Sequence, residues 1–151
     1  MKNLLLLISI LAFSGISLGE SMMNQKSMEH IARGMAQSAK GENGFVEFSY
    51  NNVTLYLISD VEHDRMRIIA PIADYNKLTR QHLDATLESN FHKALDARYA
   101  TSKGVLYSAY MHRLSELSES QLISAVEQVA NLALTFGGEY SSGTLVYGGS
   151  E

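Results

Sequence analysis

The longest alternating run in the chain extends from Val105 to Arg113, and a helical pattern follows it directly. Apolar side chains fall on both faces of this predicted strand, with Tyr107 and Met111 on one face and Leu106 and Tyr110 on the other. A strand that keeps one face in water carries its apolar residues on the opposite face only. The helices of one small domain cover one face of its sheet. We therefore expect a second subunit or a bound peptide to cover the other face.

The alternation alone leaves open which set of residues lies at that interface. We expect Leu106 and Tyr110 to contribute to it, or the opposite set if the faces are reversed. The alternative is that the C-terminal apolar segment, residues 145–147, folds back over the same face. Methionines adapt to varied partners at surfaces and also fill cores. The candidate residues for a partner-binding or dimer face are Leu106, Tyr110, Tyr107, Met111, Met28 and Met35.

Three further segments between residues 45 and 70 alternate with a period of two and predict strands. They read FVEFSY, VTLYLI and RMRIIA. Asn51 and Asn52 separate the first two and suit a tight turn, because asparagine tolerates positive φ. Pro71 follows the third segment and either ends that strand or marks a sheet edge. With the run from Val105 and a short strand before it, five strands follow one another in hairpins, which predicts a mostly antiparallel sheet.

Two segments repeat apolar residues with the spacing of a helix before the long alternating run begins. The first helix is predicted over roughly Asn24 to Lys40. The second is predicted over Thr79 to Ala94, where Leu83, Leu87 and Phe91 form one apolar stripe. We expect Leu83 and Leu87 to be buried against the sheet.

A third helix is predicted after the alternating run. Ser118 and Gln121 have the spacing of a capping box, in which each side chain accepts a hydrogen bond from the other residue's backbone N–H. Leu122, Val126 and Val129 form its apolar stripe and are expected to lie against the sheet. The order of elements is therefore α-β-β-β-α-β-β-α, which predicts an α+β fold with helices packed on a five-stranded sheet.

The N-terminal segment has the features of a bacterial signal peptide. Lys2 precedes an apolar stretch from Leu4 to Phe13, and Ser17 and Gly19 are small residues at the spacing of a signal-peptidase site. The stretch is shorter than the ~20 residues that span a membrane. We expect cleavage after Gly19, which leaves a periplasmic or secreted protein without stable membrane insertion; the alternative is an N-terminal anchor that stays attached. The predicted organisation is a signal peptide at 1–19, one domain at 20–138 and a tail at 139–151.

Composition excludes several classes of function. The chain has 151 residues, a net charge of −4 and no cysteine, so disulfides and thiol chemistry are excluded. It has no basic patch, which argues against a nucleic-acid partner. A domain of roughly 130 residues buries about two-thirds of its unfolded surface and folds without a disulfide or a metal.

The densest group of polar side chains is Asp60, Glu62, His63 and Asp64. Oxygen and imidazole ligands of this kind hold divalent cations. A calcium loop of the EF-hand type also requires a glycine and a distal glutamate at fixed spacing, and neither is present. We expect a solvated turn without a metal. Nucleotide-binding glycine loops and serine nucleophile motifs do not occur either. We therefore expect no catalytic residue, no cofactor and no enzymatic activity.

The stretch ESNFHKALDARYATSKGVLYSAYMHRLSELSESQLISAVEQV, from Glu88 to Val129, resembles the type III secretion chaperone-like superfamily. Asn90 ends the second helix there, ARYA begins a strand, and a turn at Gly104 leads into the long strand and the last helix. The resemblance extends over roughly Met28 to Phe136. It implies an α+β fold and a small acidic homodimer that holds an extended segment of a secreted protein against its sheet and first helix. Members with secretion clients act in the cytosol, whereas this chain carries a predicted export signal.

These observations predict an exported, non-enzymatic, chaperone-like module that binds a protein or peptide and forms a homodimer. The alternatives are a periplasmic enzyme or small-ligand-binding protein of a class that the sequence does not identify, and a structural partner in an envelope assembly. An enzyme is expected to show a pocket with convergent polar groups and shifted pKa values. A binding module is expected to show an exposed apolar patch or an open strand edge.

Overall fold

The computed structural model describes residues 22–144, which form three α-helices, six strands and one short 3-10 helix. The six strands make one antiparallel sheet in the order β1-β2-β3-β4-β6-β5. The elements are α1 (Gln25–Met35), β1 (Ser38–Lys40), β2 (Phe45–Tyr50), β3 (Val53–Asp60), β4 (Arg65–Asp74), the 3-10 helix (Tyr75–Lys77), α2 (Arg80–His92), β5 (Arg98–Ser102), β6 (Val105–His112) and α3 (Glu119–Thr135). The predicted signal peptide and residues 145–147 lie outside the described residues.

The prediction of an α+β fold is confirmed, but the sheet has six strands rather than five. The additional strand is β1, in a stretch that we predicted as the end of the first helix. The helix instead ends at Met35, one residue after Gly34, which weakens a helix by about 1 kcal/mol relative to Ala. Ala36 is already extended, and Ala39 then lies opposite Phe48 of β2. Pairing with the edge of β2 thus replaces a weak last turn of helix.

The alternation of β2, β3 and β4 places the predicted apolar residues in the core. Phe48, Leu57 and Ile68 are buried, and Arg67 of β4 is exposed on the other side of the sheet. Asn51 and Asn52 both have positive φ, 49° and 62°, as expected for the turn between β2 and β3.

Pro71 does not end its strand. β4 continues to Asp74, and its register with β6 shifts between Pro71 and Ala73. β3 pairs with β4 only as far as Ile69, so Pro71 has a strand neighbour, Tyr107, on one side alone. The edge alternative is therefore the correct one, because a proline that lacks its N–H is tolerated where one side of a strand is free.

Helices α1 and α3 pack together on one face of the sheet, and α3 contacts β3, β4, β5 and β6. Leu122, Val126 and Val129 of α3 are fully buried, as predicted. The predicted capping box is also present. Ser118 Oγ accepts from the backbone N–H of Gln121 (3.2 Å), and Gln121 Oε1 accepts from the backbone N–H of Ser118 (2.8 Å).

Helix α2 lies at the β5 edge of the sheet and corrects one prediction. Leu87 is 66% exposed and Phe91 is 77% exposed, while Leu83 is half-buried. The apolar stripe therefore faces mainly outward and does not pack against the sheet. The side of α2 that faces the protein carries the buried residues Thr86 and Ser89 instead.

The chain after α3 returns to α2 and packs there. Ser89 Oγ donates to the carbonyl oxygen of Tyr140, and Ser142 Oγ accepts from the backbone N–H of Leu95 (2.7 Å). Ser142 is 1% exposed. Residues after position 138, which the sequence predicted to be a tail, thus take part in the domain at least as far as Ser142.

Candidate functional site

Strand β6 shows which of its faces belongs to the core. Leu106 and Tyr110 are 1% and 7% exposed and lie in the main apolar cluster, beneath α3. The prediction that Leu106 and Tyr110 contribute to an interface is therefore wrong, because both side chains are buried within the chain itself. On the opposite face, Met111 is 65% exposed and Tyr107 is half-buried. The alternative, in which Tyr107 and Met111 on the opposite face contribute to an interface, stays a prediction.

Met28 and Met35, the other two candidate residues, contribute to packing. Met28 is fully buried in the core, and Met35 is half-buried against it. Both lie on the side of α1 that faces α3 and the sheet, since α1 contacts α3, β2 and β3. Neither side chain lies on an open surface, because the apolar stripe of α1 packs against other parts of the same chain.

The face of the sheet that points away from α1 and α3 is called the open face here. No helix or strand among residues 22–144 covers it. Phe45 is 49% exposed, and its ring lies 5.8 Å from that of Tyr56 on the neighbouring strand. The strand register places Ile69 between Tyr56 and Ala109. The apolar residues of the open face are Phe45, Tyr56, Ile58, Ile69, Pro71, Val105, Tyr107, Ala109 and Met111.

Three arginines belong to the same open face. Arg67 lies between Ile58 of β3 and Met111 of β6 in the sheet register. Arg65 precedes it by two residues on β4, and Arg98 of β5 lies opposite Ala109. Within residues 22–144, none of the three arginines forms an ion pair. The open face therefore combines an apolar surface with arginines that form no ion pair among the described residues.

A second uncovered apolar surface is formed by Leu83, Leu87 and Phe91, which we call the α2 stripe. The polar residues on the other side of the helix have hydrogen-bond partners: Thr86 Oγ1 donates to the carbonyl oxygen of Leu83 (2.7 Å), and Ser89 donates to Tyr140. Burial of a polar group is inexpensive when its hydrogen bonds are satisfied. This is why α2 can turn its polar side toward the protein and its apolar side outward.

The sequence contains a signal for this orientation of α2. Thr86, Ser89 and Asn90 share one side of α2, and each is a residue that readily bonds to nearby backbone. A helix with such residues on one side and a narrow apolar stripe on the other has two possible orientations. The stripe alone does not decide between them.

The group of titratable side chains nearest to a catalytic arrangement lies in a cleft of about 380 Å³ that includes Asp96, Tyr110 and His112. Burial raises the pKa of Tyr110, and the negative charge of Asp96 adds to the effect. The Tyr110 and His112 rings are stacked, with centroids 6.1 Å apart. Gln128 Oε1 accepts from the backbone N–H groups of Asp96 (2.8 Å) and Ala97 (3.0 Å), so it fixes the entry to β5.

The polar turn between β3 and β4 divides its side chains between different partners. Asp60 accepts from the backbone N–H of His63 (3.0 Å) and lies 2.8 Å from its Nδ1. Asp64 points away, toward Ser115, whose backbone N–H and hydroxyl both donate to it (2.7 and 2.8 Å). Among the described residues, no three His, Asp or Glu side chains come together as a group of metal ligands. The metal-free turn stays a prediction.

In the part of the chain that the structure describes, no helix is both long and apolar enough to cross a membrane. A scan against models of protein families finds no match for the sequence, and a search of curated proteins finds none either.

Comparison with solved structures does find similar folds. The chain is similar to one in the complex of the Yersinia pestis type III secretion chaperone SycH with a stable fragment of YscM2, at a TM-score of 0.55 and 17% identity, covering 75% of this chain and 98% of that one. It is also similar to a chain in the HopA1–SchA chaperone–effector complex, with a TM-score of 0.55 and 14% sequence identity; the match covers 72% of this chain and 88% of that one. A third similar chain, in the ExsC–ExsE complex, has a TM-score of 0.54 and 12% identity, and the match covers 85% of this chain and 100% of that one. The chain therefore has the fold of the type III secretion chaperones.

Proposed function

We propose that this protein is an exported, non-enzymatic, chaperone-like module that binds another protein and works as a homodimer. The observation that carries the proposal is the pair of apolar surfaces, the open face and the α2 stripe, that the described residues leave uncovered. Exposed contiguous apolar surface on a soluble domain marks sites of contact with other proteins. Two such surfaces on separate elements provide for two different contacts.

A second copy of the chain is the occupant that fits the α2 stripe. Leu83, Leu87 and Phe91 are spaced by four and four, so the stripe is symmetric about Leu87. In an antiparallel pair of α2 helices related by a twofold axis, Leu87 meets its counterpart, and Leu83 meets Phe91 of the other copy. A twofold interface requires this kind of self-complementary patch. The exposed fractions of Leu87 and Phe91, 66% and 77%, provide the area to be buried.

A different protein is the occupant that fits the open face. Three solved structures that are similar to this chain are complexes, among them a chaperone with an effector and a chaperone with a fragment of a second protein. Their sequences are only 12–17% identical to this chain, so they support a protein partner as a class and do not identify it. The exposure of Phe45 and Met111 supports a contact on this side of the sheet.

Export is the part of the proposal that rests on the sequence alone. Ser17 and Gly19 have the spacing of a cleavage site after a short apolar stretch. An exported protein meets its partner in the periplasm or outside the cell. Its client then differs from one that is held in the cytosol before secretion.

The test is capture of a partner from the native envelope, followed by reconstitution with that partner in purified form. Phe45→Glu with Met111→Glu places two carboxylates on the open face, at side chains exposed enough for the fold to survive. We expect this double variant to lose at least about tenfold in affinity, the scale of an interface hot spot. Leu134→Glu is the control, because Leu134 is an exposed apolar residue, 55% exposed, on α3. No stoichiometric partner, or equal binding by the double variant, would contradict the proposal.

A further inference from the structure

We propose that the open face binds an extended, acidic segment of the partner protein, in which carboxylates are interspersed with apolar side chains. This inference rests on the proposed function and specifies the chemistry of the partner. It starts from Arg65, Arg67 and Arg98, which form no ion pair among the described residues although the whole chain has a net charge of −4.

The carboxylates on or beside the open face are already engaged. Glu47 pairs with Lys40 at 3.0 Å, and Asp60 lies 2.8 Å from His63 Nδ1. Asp74, at the far end of β4, lies 4.0 Å from Lys77. Asp60 also lies opposite Arg65 in the register of β3 and β4. Arg67 and Arg98 are therefore the two arginines of this face that have no carboxylate directly opposite them. Guanidinium groups bind carboxylates through paired, charge-assisted hydrogen bonds, which are stronger than neutral ones.

The arginines are interleaved with the apolar residues rather than gathered at a rim. Arg67 has Ile58 on one side and Met111 on the other across the strands, at the spacing of ~4.8 Å between neighbouring strands. Along β4, Arg65, Arg67 and Ile69 follow one another in steps of two residues, ~6.6 Å apart. In an extended peptide, every second side chain points to the same side, so these side chains are also ~6.6 Å apart. A segment that lies along the face thus presents carboxylates to the arginines and apolar groups to Ile69.

A second copy of this chain does not fit the same face. Two open faces brought together would place the unpaired arginines of both copies in one interface, where like charges weaken association. The α2 stripe has no such obstacle, because Leu83, Leu87 and Phe91 are uncharged. Charge therefore assigns the α2 stripe to the second copy and the open face to an acidic partner.

The experiment is a selection from a displayed library of random peptides of about ten residues, long enough for one strand, against the purified mature protein. The selected peptides are then synthesised, and their affinities are measured by fluorescence anisotropy for the wild type and two charge-reversal variants. Arg67→Glu changes the open face. Lys26→Glu is the matched control, because Lys26 is an exposed cation on α1, on the helix side of the sheet.

We expect the selected peptides to be rich in Asp and Glu alternating with apolar residues. We expect Arg67→Glu to weaken their binding about tenfold or more, and Lys26→Glu to change it less than about twofold. Selected peptides that are neutral or basic and that bind Arg67→Glu as well as the wild type would overturn this inference while the proposed function stands. Recovery of no peptide at all would overturn both. Circular dichroism of the two variants confirms that each is folded.

Discussion

The side-chain amide of Asn90 forms two hydrogen bonds with the backbone of Tyr99: its nitrogen donates to the carbonyl oxygen (3.1 Å), and its oxygen accepts from the N–H (2.7 Å). Tyr99 lies on β5, the edge strand of the sheet, so these are groups that a further strand would otherwise pair. One side chain of α2 thus takes the place of a strand at this position. The contact holds α2 against the sheet edge with its apolar stripe turned outward.

Asn90→Ala tests this contact. The substitution leaves the N–H and carbonyl of Tyr99 without their partner, and we expect a loss of about 1–3 kcal/mol in the free energy of unfolding. Urea denaturation followed by circular dichroism measures it. Asn76→Ala is the control, because the exposed side chain of Asn76 is expected to contribute less than about 0.5 kcal/mol. Equal stability of the Asn90 and Asn76 variants would show that the edge does not depend on Asn90.

Asp64 fixes the turn between β3 and β4 to the segment that leads into α3. Hydrogen bonds from the backbone N–H and hydroxyl of Ser115 lower the pKa of Asp64 below its usual 3.8, and Arg113 adds to the effect. A carboxyl whose pKa is lowered by folding stabilises the fold above its unfolded pKa, and this contribution is lost as the pH falls through the lower folded value. We expect Asp64→Asn to melt at a lower temperature than the wild type at pH 7.

The difference between wild type and Asp64→Asn should shrink as the pH falls below 3.8, because the wild-type carboxyl then gains a proton. Asparagine also tolerates the positive φ of 51° at this position, so the turn itself is preserved. Asp84→Asn is the control, since Asp84 forms only a local pair with Arg80 on the surface of α2. A melting difference that is constant from pH 2 to pH 7 would disprove the role of the charge.

We expect substitution by aspartate to have opposite effects on stability at Val126 and at Leu87. Val126 is fully buried, so Val126→Asp places a carboxylate in apolar surroundings at a cost of several kcal/mol, comparable with a domain stability of roughly 5–15 kcal/mol. Leu87 is 66% exposed, so Leu87→Asp should fold with nearly unchanged secondary structure. Thermal unfolding of the two variants distinguishes them. A wild-type melting temperature for Val126→Asp, or an unfolded Leu87→Asp, would show that the helix faces are placed wrongly.

The proposal of export predicts the N-terminus of the native protein. Cleavage after Gly19 leaves a chain that begins at Glu20. Mass spectrometry of protein purified from its native source measures the mass and the first residues. An intact Met1 on a membrane-bound form would refute cleavage at this site.

The sequence predicted those parts of the fold where local pattern and tertiary contact agree. In β4, alternation placed Ile68 inside and Arg67 outside, because one face of the strand is buried and the other is open. Ser118 and Gln121 marked the start of α3, since capping is a local interaction. The strand β1 was missed because three residues show no periodicity, and their structure is decided by pairing with β2.

The two surfaces proposed for binding depend on contacts that periodicity does not encode. Both faces of β6 are apolar, so alternation could not tell which one α3 covers. In the structure, Ser108 Oγ donates to the carbonyl oxygen of Val129 and ties that face of β6 to α3 (2.7 Å). On α2 the apolar stripe was placed inward because apolar residues are most often buried. In the structure, Ser89 bonds to Tyr140, which is distant in the chain, and Asn90 bonds to Tyr99 of β5. These contacts turn the polar side of α2 toward the protein and its apolar stripe outward.

We propose that other proteins cover the exposed apolar surfaces of the domain, and the α2 stripe gives the most direct test of this proposal. Sedimentation velocity of the mature wild type is compared with Leu87→Glu combined with Phe91→Glu, with Leu134→Glu as the control. We predict a dimer for the wild type and the control, and a folded monomer for the double variant. A wild type that is monomeric at all concentrations, or a double variant that still dimerises, would show that the α2 stripe is not a dimer interface.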